Sequence, residues 1–120
     1  MTSKEISQRL KEVGFDDEYQ WGWIETTQGL QLVYIPKLTG DETASERKKS
    51  IHSYDAETLF KWLRGNVCAW EMFHDSIEVY FKVLSIDGQK DVKPHEIQYK
   101  TSLADMLGEA IIWIKEQENE

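Results

Sequence analysis

"NVCAWEMFHDSIEVYFKVLSI", residues 66–86, decides the fold. In its second half Ile77, Val79, Phe81 and Val83 fall on one side, and Glu78, Tyr80 and Lys82 on the other. A period of two belongs to a half-buried strand, because successive side chains of an extended backbone point to opposite faces. The first half, "NVCAWEMFH", is a second extended run, and His74-Asp75 between the two reads as a turn. The pair is therefore antiparallel. Downstream, Asp87-Gly88 signals another turn, and "HEIQYK" at 95–100 reads as a third strand. Pro94 precedes it and places it at an edge, since proline brings no N–H to a ladder.

Helices flank this meander. "IHSYDAETLFKWLRGN" at 51–66 predicts a helix with Asp55 as N-cap, Glu57 in the first turn and Gly65 as its stop. Leu59, Phe60 and Leu63 form its buried stripe, with Trp62 at the margin. After the meander, Leu103, Met106, Leu107, Ala110, Ile111 and Ile114 recur at helical spacing behind a cap at Ser102 or Thr101. Ile112 and Trp113 widen that stripe, so this helix is expected to be covered from two directions. Gly108 in its interior disfavours helix by about 1 kcal/mol relative to Ala, which points to close packing on the sheet.

Towards the N-terminus, Thr2-Ser3-Lys4-Glu5 fits a capping box, and Ile6, Leu10 and Val13 follow at helical spacing. A helix from about Ser3 to Val13 stops at Gly14, with Phe15 tucked beneath its end. "EYQWGWIETTQGLQLVYI" at 18–35 reads as a hairpin around Thr27-Gln28-Gly29, with Tyr19, Trp21 and Trp23 on one face. Gln20, Gly22 and Ile24 take the other. "PKLTGDETASERKKS" at 36–50 carries too little apolar surface for a core element and is expected to be a mobile loop. It holds the basic cluster Arg47-Lys48-Lys49. The element order predicts one α+β domain over 1–120: helix, hairpin, helix, three-stranded meander and helix, with helices on one antiparallel sheet.

The chain has 22 Asp and Glu against 14 Lys and Arg, a formal net charge of −8. Nucleic-acid binding draws on basic side chains that neutralise phosphates, so this balance argues against a DNA or RNA reader. The second half shares its element order with double-stranded-RNA-binding domains. Their last helix is basic where it meets phosphate, whereas "TSLADMLGEA" has no Lys or Arg. The acidic surface serves solubility, or mimics a polyanion in the basic groove of a partner. With a single cysteine, Cys68, no apolar run long enough to span a bilayer and no hydrophobic leader, the expected compartment is the cytoplasm.

Chemistry-bearing motifs are sparse. His52, Cys68, His74, Asp75 and His95 show no paired ligand spacing, so no metal or other cofactor is implied. Cys68, between Val67 and Ala69, reads as a small buried hydrophobe rather than a nucleophile. No nucleophile elbow and no glycine-rich phosphate loop occurs. A non-enzymatic protein is expected. The rival reading is a small hydrolase or metal enzyme using His52, His74 or His95 with a carboxylate.

Five Trp, five Tyr and four Phe make an aromatic-rich chain. Trp62, Trp70 and Trp113 are expected in the core. Tyr19, Trp21 and Trp23, beside the acidic run Asp16, Asp17 and Glu18, form the candidate partner surface, for another protein or a second copy.

"TSKEISQRLKEVGFDDE" resembles the opening of a group of small phage- and prophage-encoded α+β proteins, with a short helix ending in Gly-Phe before an aromatic hairpin. "SYDAETLFKWLRGN" is similar to their central helix, and "KTSLADMLGEAIIWIKEQ" to their terminal one. The resemblance implies an accessory phage-type gene product; together with the candidate surface, the expected action is protein–protein contact. It brings no catalytic residues with it.

Overall fold

A computed structural model describes residues 1–17, 19, 21–34, 50–88, 93–100 and 102–118. The expected loop at 36–50 lies outside these apart from Ser50, as does Glu18 of the candidate surface. The described residues form an α+β fold of helix α1 (Lys4–Glu12), strands β1 (Trp21–Thr26), β2 (Gly29–Tyr34) and β3 (Ile51–Ser53), helix α2 (Ala56–Asn66), strands β4 (Val67–His74), β5 (Val79–Ile86) and β6 (His95–Gln98), and helix α3 (Leu103–Glu118).

The strands divide into two antiparallel sheets of three, ordered β2-β1-β3 and β4-β5-β6, where the sequence suggested one. The difference comes from Ile51–Ser53. The segment was expected to lead into the second helix, yet Trp21, Gly22 and Trp23 pair with Ser53, His52 and Ile51. The other edge of β1 is taken by β2, in register from Trp21↔Tyr34 to Thr26↔Gly29. Asp55 then caps α2 as expected, its carboxylate accepting the Thr58 N–H at 2.7 Å. Gly65 does not stop this helix. The chain runs on to Asn66 and passes directly into β4 at Val67, an extended residue.

Helix α1 starts at Ser3, whose hydroxyl accepts the Ile6 N–H at 3.3 Å. With Ser3 as the cap, Glu5 sits one residue short of the capping-box position. The reciprocal half comes from α3: Asp105 Oδ1 accepts the Ser3 N–H at 2.7 Å, while Ser102 Oγ caps α3 by accepting the Asp105 N–H at 3.1 Å. One carboxylate thus ties two helix starts together. At its other end α1 closes in a Schellman motif. Phe15 N–H bonds Leu10 O at 3.0 Å and Gly14 N–H bonds Lys11 O at 3.1 Å. Gly14 takes a φ of 82°, a left-handed conformation that glycine adopts without strain. Phe15 tucks in edge-on against Tyr54 and Trp62, at 4.8 and 5.7 Å between ring centroids.

The core is built around α3. Ala104, Met106, Leu107, Gly108, Ala110, Ile111, Ile112 and Ile114 are all buried, a spread too wide for one face. Two sides are covered: α1 and α2 pack on one, β5 and β6 on the other. Phe81, Val83 and Ile97 supply the sheet side, and Leu10, Leu59 and Leu63 the helix side. Each such side chain contributes about 1.5–3 kcal/mol when fully withdrawn from water. Gly108 faces α1 rather than the sheet. A Cβ placed there would lie 2.5 Å from Ile6 Cγ2, so glycine is what lets the two helices approach.

Candidate functional site

Two regions offer something to a ligand or partner, and the first is the one the sequence singled out. Tyr19 precedes β1 and leaves the face shared by Trp21 and Trp23. It stacks on His52 with centroids 3.5 Å apart, and His52 is the register partner of Gly22 on the opposite face. The expected three-ring platform is therefore split across the sheet. The strand period stops at Trp21, so Tyr19 is free to turn away.

Trp21 and Trp23 are both half-buried. Trp21 leans on Tyr34, its cross-strand partner, at 5.2 Å. Trp23 donates its indole N–H to Thr2 O at 3.3 Å, which anchors the ring against the N-terminal segment. Thr2 itself is buried and collects polar partners from four directions. Its N–H bonds Tyr54 O at 2.8 Å, and its hydroxyl lies 2.7 Å from Ser7 Oγ and 3.2 Å from Ser53 Oγ. The same hydroxyl accepts the Tyr54 N–H at 3.1 Å, and Thr2 O accepts Ser53 Oγ at 2.9 Å. Ser7 and Ser53 are buried as well, so this hydroxyl cluster is satisfied internally.

Asp16 and Asp17 come together with Tyr19 around the Tyr54 hydroxyl. Burial, reinforced by those carboxylates, pushes the Tyr54 phenol up to about 12, while a backbone hydrogen bond with Asp17 pulls it back. An open groove of about 280 Å³ runs alongside, lined by Ser7, Lys11, Asp16, His52 and Tyr54 over Phe15 and Gly14.

The second region is one that sequence reasoning missed. Cross-strand partners share a face, so Trp70↔Val83, Met72↔Phe81 and Phe81↔Ile97 place these side chains on the helix side of the second sheet. Tyr99 N–H bonds Val79 O at 2.7 Å and continues that ladder beyond β6. Under α3 the face is sealed, with Phe81 and Val83 at 0% exposure. Towards β4 and the start of β5 it opens: Trp70 is 36% exposed, Met72 45%, Val79 37% and Tyr99 39%, and Leu103, the first residue of α3, is 41% exposed. Ile77, expected on the inner face of β5, sits instead in the Asp75–Glu78 turn and is 92% exposed.

Trp70, expected in the core, reaches it with one side only. It stacks on Phe81 at 5.6 Å and meets Phe60 edge-on at 5.0 Å. Trp62 and Trp113, also expected in the core, are only half-buried and pack against its outside.

The remaining chemistry is dispersed. His52, His74 and His95 lie on three different strands, and among the described residues no group of three His, Cys, Asp or Glu converges to hold a metal ion. His95 stacks flat on Trp113 at 4.6 Å. Burial lowers its pKa below the usual histidine range, while Glu109 and Glu116 act the other way. Cys68 is exposed rather than buried, because the register of β4 shifts between Val67 and Trp70 and turns its side chain out. Desolvation, and a hydrogen bond to Asp87 at 3.5 Å, raise its thiol above the ordinary range and keep it protonated. A protonated thiol is a poor nucleophile. No described helix is long and apolar enough to cross a membrane. A scan against protein-family models, a search of curated proteins and a search of solved structures each found no match.

Proposed function

We propose that this chain is a cytoplasmic, non-enzymatic accessory protein of the phage type that its helices resemble, and that it acts by docking on another protein. The observation that carries the reading is the open apolar end of the second sheet, where Met72, Val79 and Tyr99 stand partly exposed, with Leu103 exposed at the start of α3. Single exposed apolar residues are ordinary, but a contiguous group of them is the usual mark of a contact surface. The net charge of −8 directs the choice of partner to a basic protein, among which nucleic-acid-binding proteins are the natural class.

A second surface is supported by Trp21, which stays half-buried beside Tyr34 on the first sheet. Its neighbour Trp23 is tethered to Thr2, so the first sheet offers less free ring surface than the second.

Capture from a bacterial host lysate with the immobilised full chain tests the reading. The expected result is a partner recovered at low salt and released at about 1 M salt, where screening shortens to roughly 3 Å. Recovery should fall with Met72→Lys and persist with Trp21→Ala. No partner at low salt, or one indifferent to salt and to Met72→Lys, overturns it. A stoichiometric metal in the purified protein would favour the hydrolase reading instead.

A further inference from the structure

Among the described residues, one edge of the second sheet has a stretch without proline, lysine or a bulge. Strand order puts β4 at one side, and among the described residues only β5 pairs with it. Its outward N–H and C=O groups therefore form a template for another strand. Natural edges are blunted by proline, lysine, shortness or a bulge. β4 has eight residues, none of them Pro or Lys. Its irregularity is confined to Val67–Trp70, and from Trp70↔Val83 to His74↔Val79 the register is unbroken. The regular part of the edge is also where the helix-side face opens at Trp70 and Met72.

Charge selects the occupant. The β4–β5 hairpin carries Glu71, Asp75 and Glu78 against Lys82 alone. Asp75, Glu78 and Glu96 all act on the Tyr80 phenol and raise its pKa, the largest effect being the Glu78 hydrogen bond at 2.8 Å. A second copy fits poorly. Each chain brings a net charge of −8, and antiparallel pairing of two β4 strands centred on the Trp70–Met72 stretch sets Glu71 against Glu71.

We propose that β4 is a docking edge for an extended segment of a basic protein, one that alternates aliphatic residues with lysine or arginine. The segment adds a strand beside Trp70–His74. Its aliphatic side chains cover Trp70 and Met72 on the helix side, and its cations meet Glu71 on the other face and Asp75 and Glu78 at the turn. This is β-strand addition, with backbone bonds supplying affinity and alternate side chains supplying selectivity. The inference rests on the docking function proposed above, and the two are separable by experiment.

The probe is a short capped peptide of alternating valine and lysine, titrated into the ¹⁵N-labelled full chain, with a valine–glutamate peptide as control. The expected result is shifted amides and slowed hydrogen exchange confined to Trp70–His74, with binding of the lysine peptide at least about tenfold tighter than the control. Met72→Lys, at a position 45% exposed and checked for native folding by its amide spectrum, should weaken binding by a similar factor. Equal binding of both peptides, shifts centred on Trp21–Tyr34, or no binding overturns the inference, as does sedimentation that reveals a β4-dependent dimer. A lysate partner that survives Met72→Lys while the peptide fails sinks the edge and leaves a docking function at another surface. Peptide binding at β4 without any lysate partner does the reverse.

Discussion

The two sheets use similar side chains in different ways. The first sheet is secured by polar bonds to its neighbours: the buried hydroxyls of Thr2, Ser7 and Ser53 bridge the N-terminal segment, α1 and β3, and Trp23 joins through its indole. Among the described residues, no β1 or β2 side chain belongs to the main core cluster, and Ile24 is buried apart from it. The second sheet is held by apolar contact. Phe81, Val83 and Ile97 lock onto α3, and the same face then runs out past the helix into solvent. A satisfied hydroxyl cluster fixes geometry because an orphaned buried donor is costly. An apolar face fixes only what covers it, and where cover ends it becomes available to another molecule.

Substitutions break this contrast in order of size. Phe81→Ala removes the centre of the second sheet's core and should cost about 3–5 kcal/mol in denaturant unfolding, a large part of an ordinary domain's stability. Gly108→Ala should destabilise by about 1–3 kcal/mol, because the clash with Ile6 outweighs the gain in helix propensity. In a double-mutant cycle with Ile6→Ala, the glycine substitution should lose most of its cost, and strict additivity would show that α1 and α3 do not meet there.

Thr2→Val should cost about 1–3 kcal/mol by leaving the Tyr54 N–H without its acceptor, whereas Thr2→Ser should stay near wild type. Similar losses for both would show that the methyl group, and not the hydroxyl, matters at the hub.

The smallest effect concerns pH. In the folded chain His95 lies in a groove with Arg9, Glu109, Trp113 and Glu116, and burial holds its pKa below 6.5 despite the two carboxylates. The unfolded chain therefore takes up its proton first as pH falls through the mid-6 range. Stability contributed by the neutral ring is present above that range and declines until the folded pKa is passed. Thermal melts at pH 7.5 and 5.5 should show a pH-dependent loss that His95→Gln reduces. An unchanged pH slope in the variant would remove His95 from the account.

Much of the architecture was legible along the chain. The Asp55 carboxylate cap, the Gly14-Phe15 helix end and the alternation of Val79, Phe81 and Val83 are local patterns, and local patterns survive whatever the rest of the chain does. The first helix starts one residue later than expected, with Ser3 rather than Thr2 as its cap. The alternation was nonetheless carried one step too far: Ile77 obeys the period of two but belongs to the turn. The expected face shared by Tyr19, Trp21 and Trp23 broke for a related reason. Tyr19, Trp21 and Trp23 share a face only while all three stay in a strand, and the strand begins at Trp21.

By itself the sequence determined the class of each helix, the hairpins and the α+β composition, because capping and periodicity are set by residues a few positions apart. Tertiary structure alone decided that Ile51–Ser53 joins the first sheet beside β1, that Asp105 caps a helix start 102 residues away, and that Gly108 seats α1. It also decided which apolar residues stay uncovered. Burial depends on where the covering helix ends in space, and no spacing within one strand encodes the reach of another element.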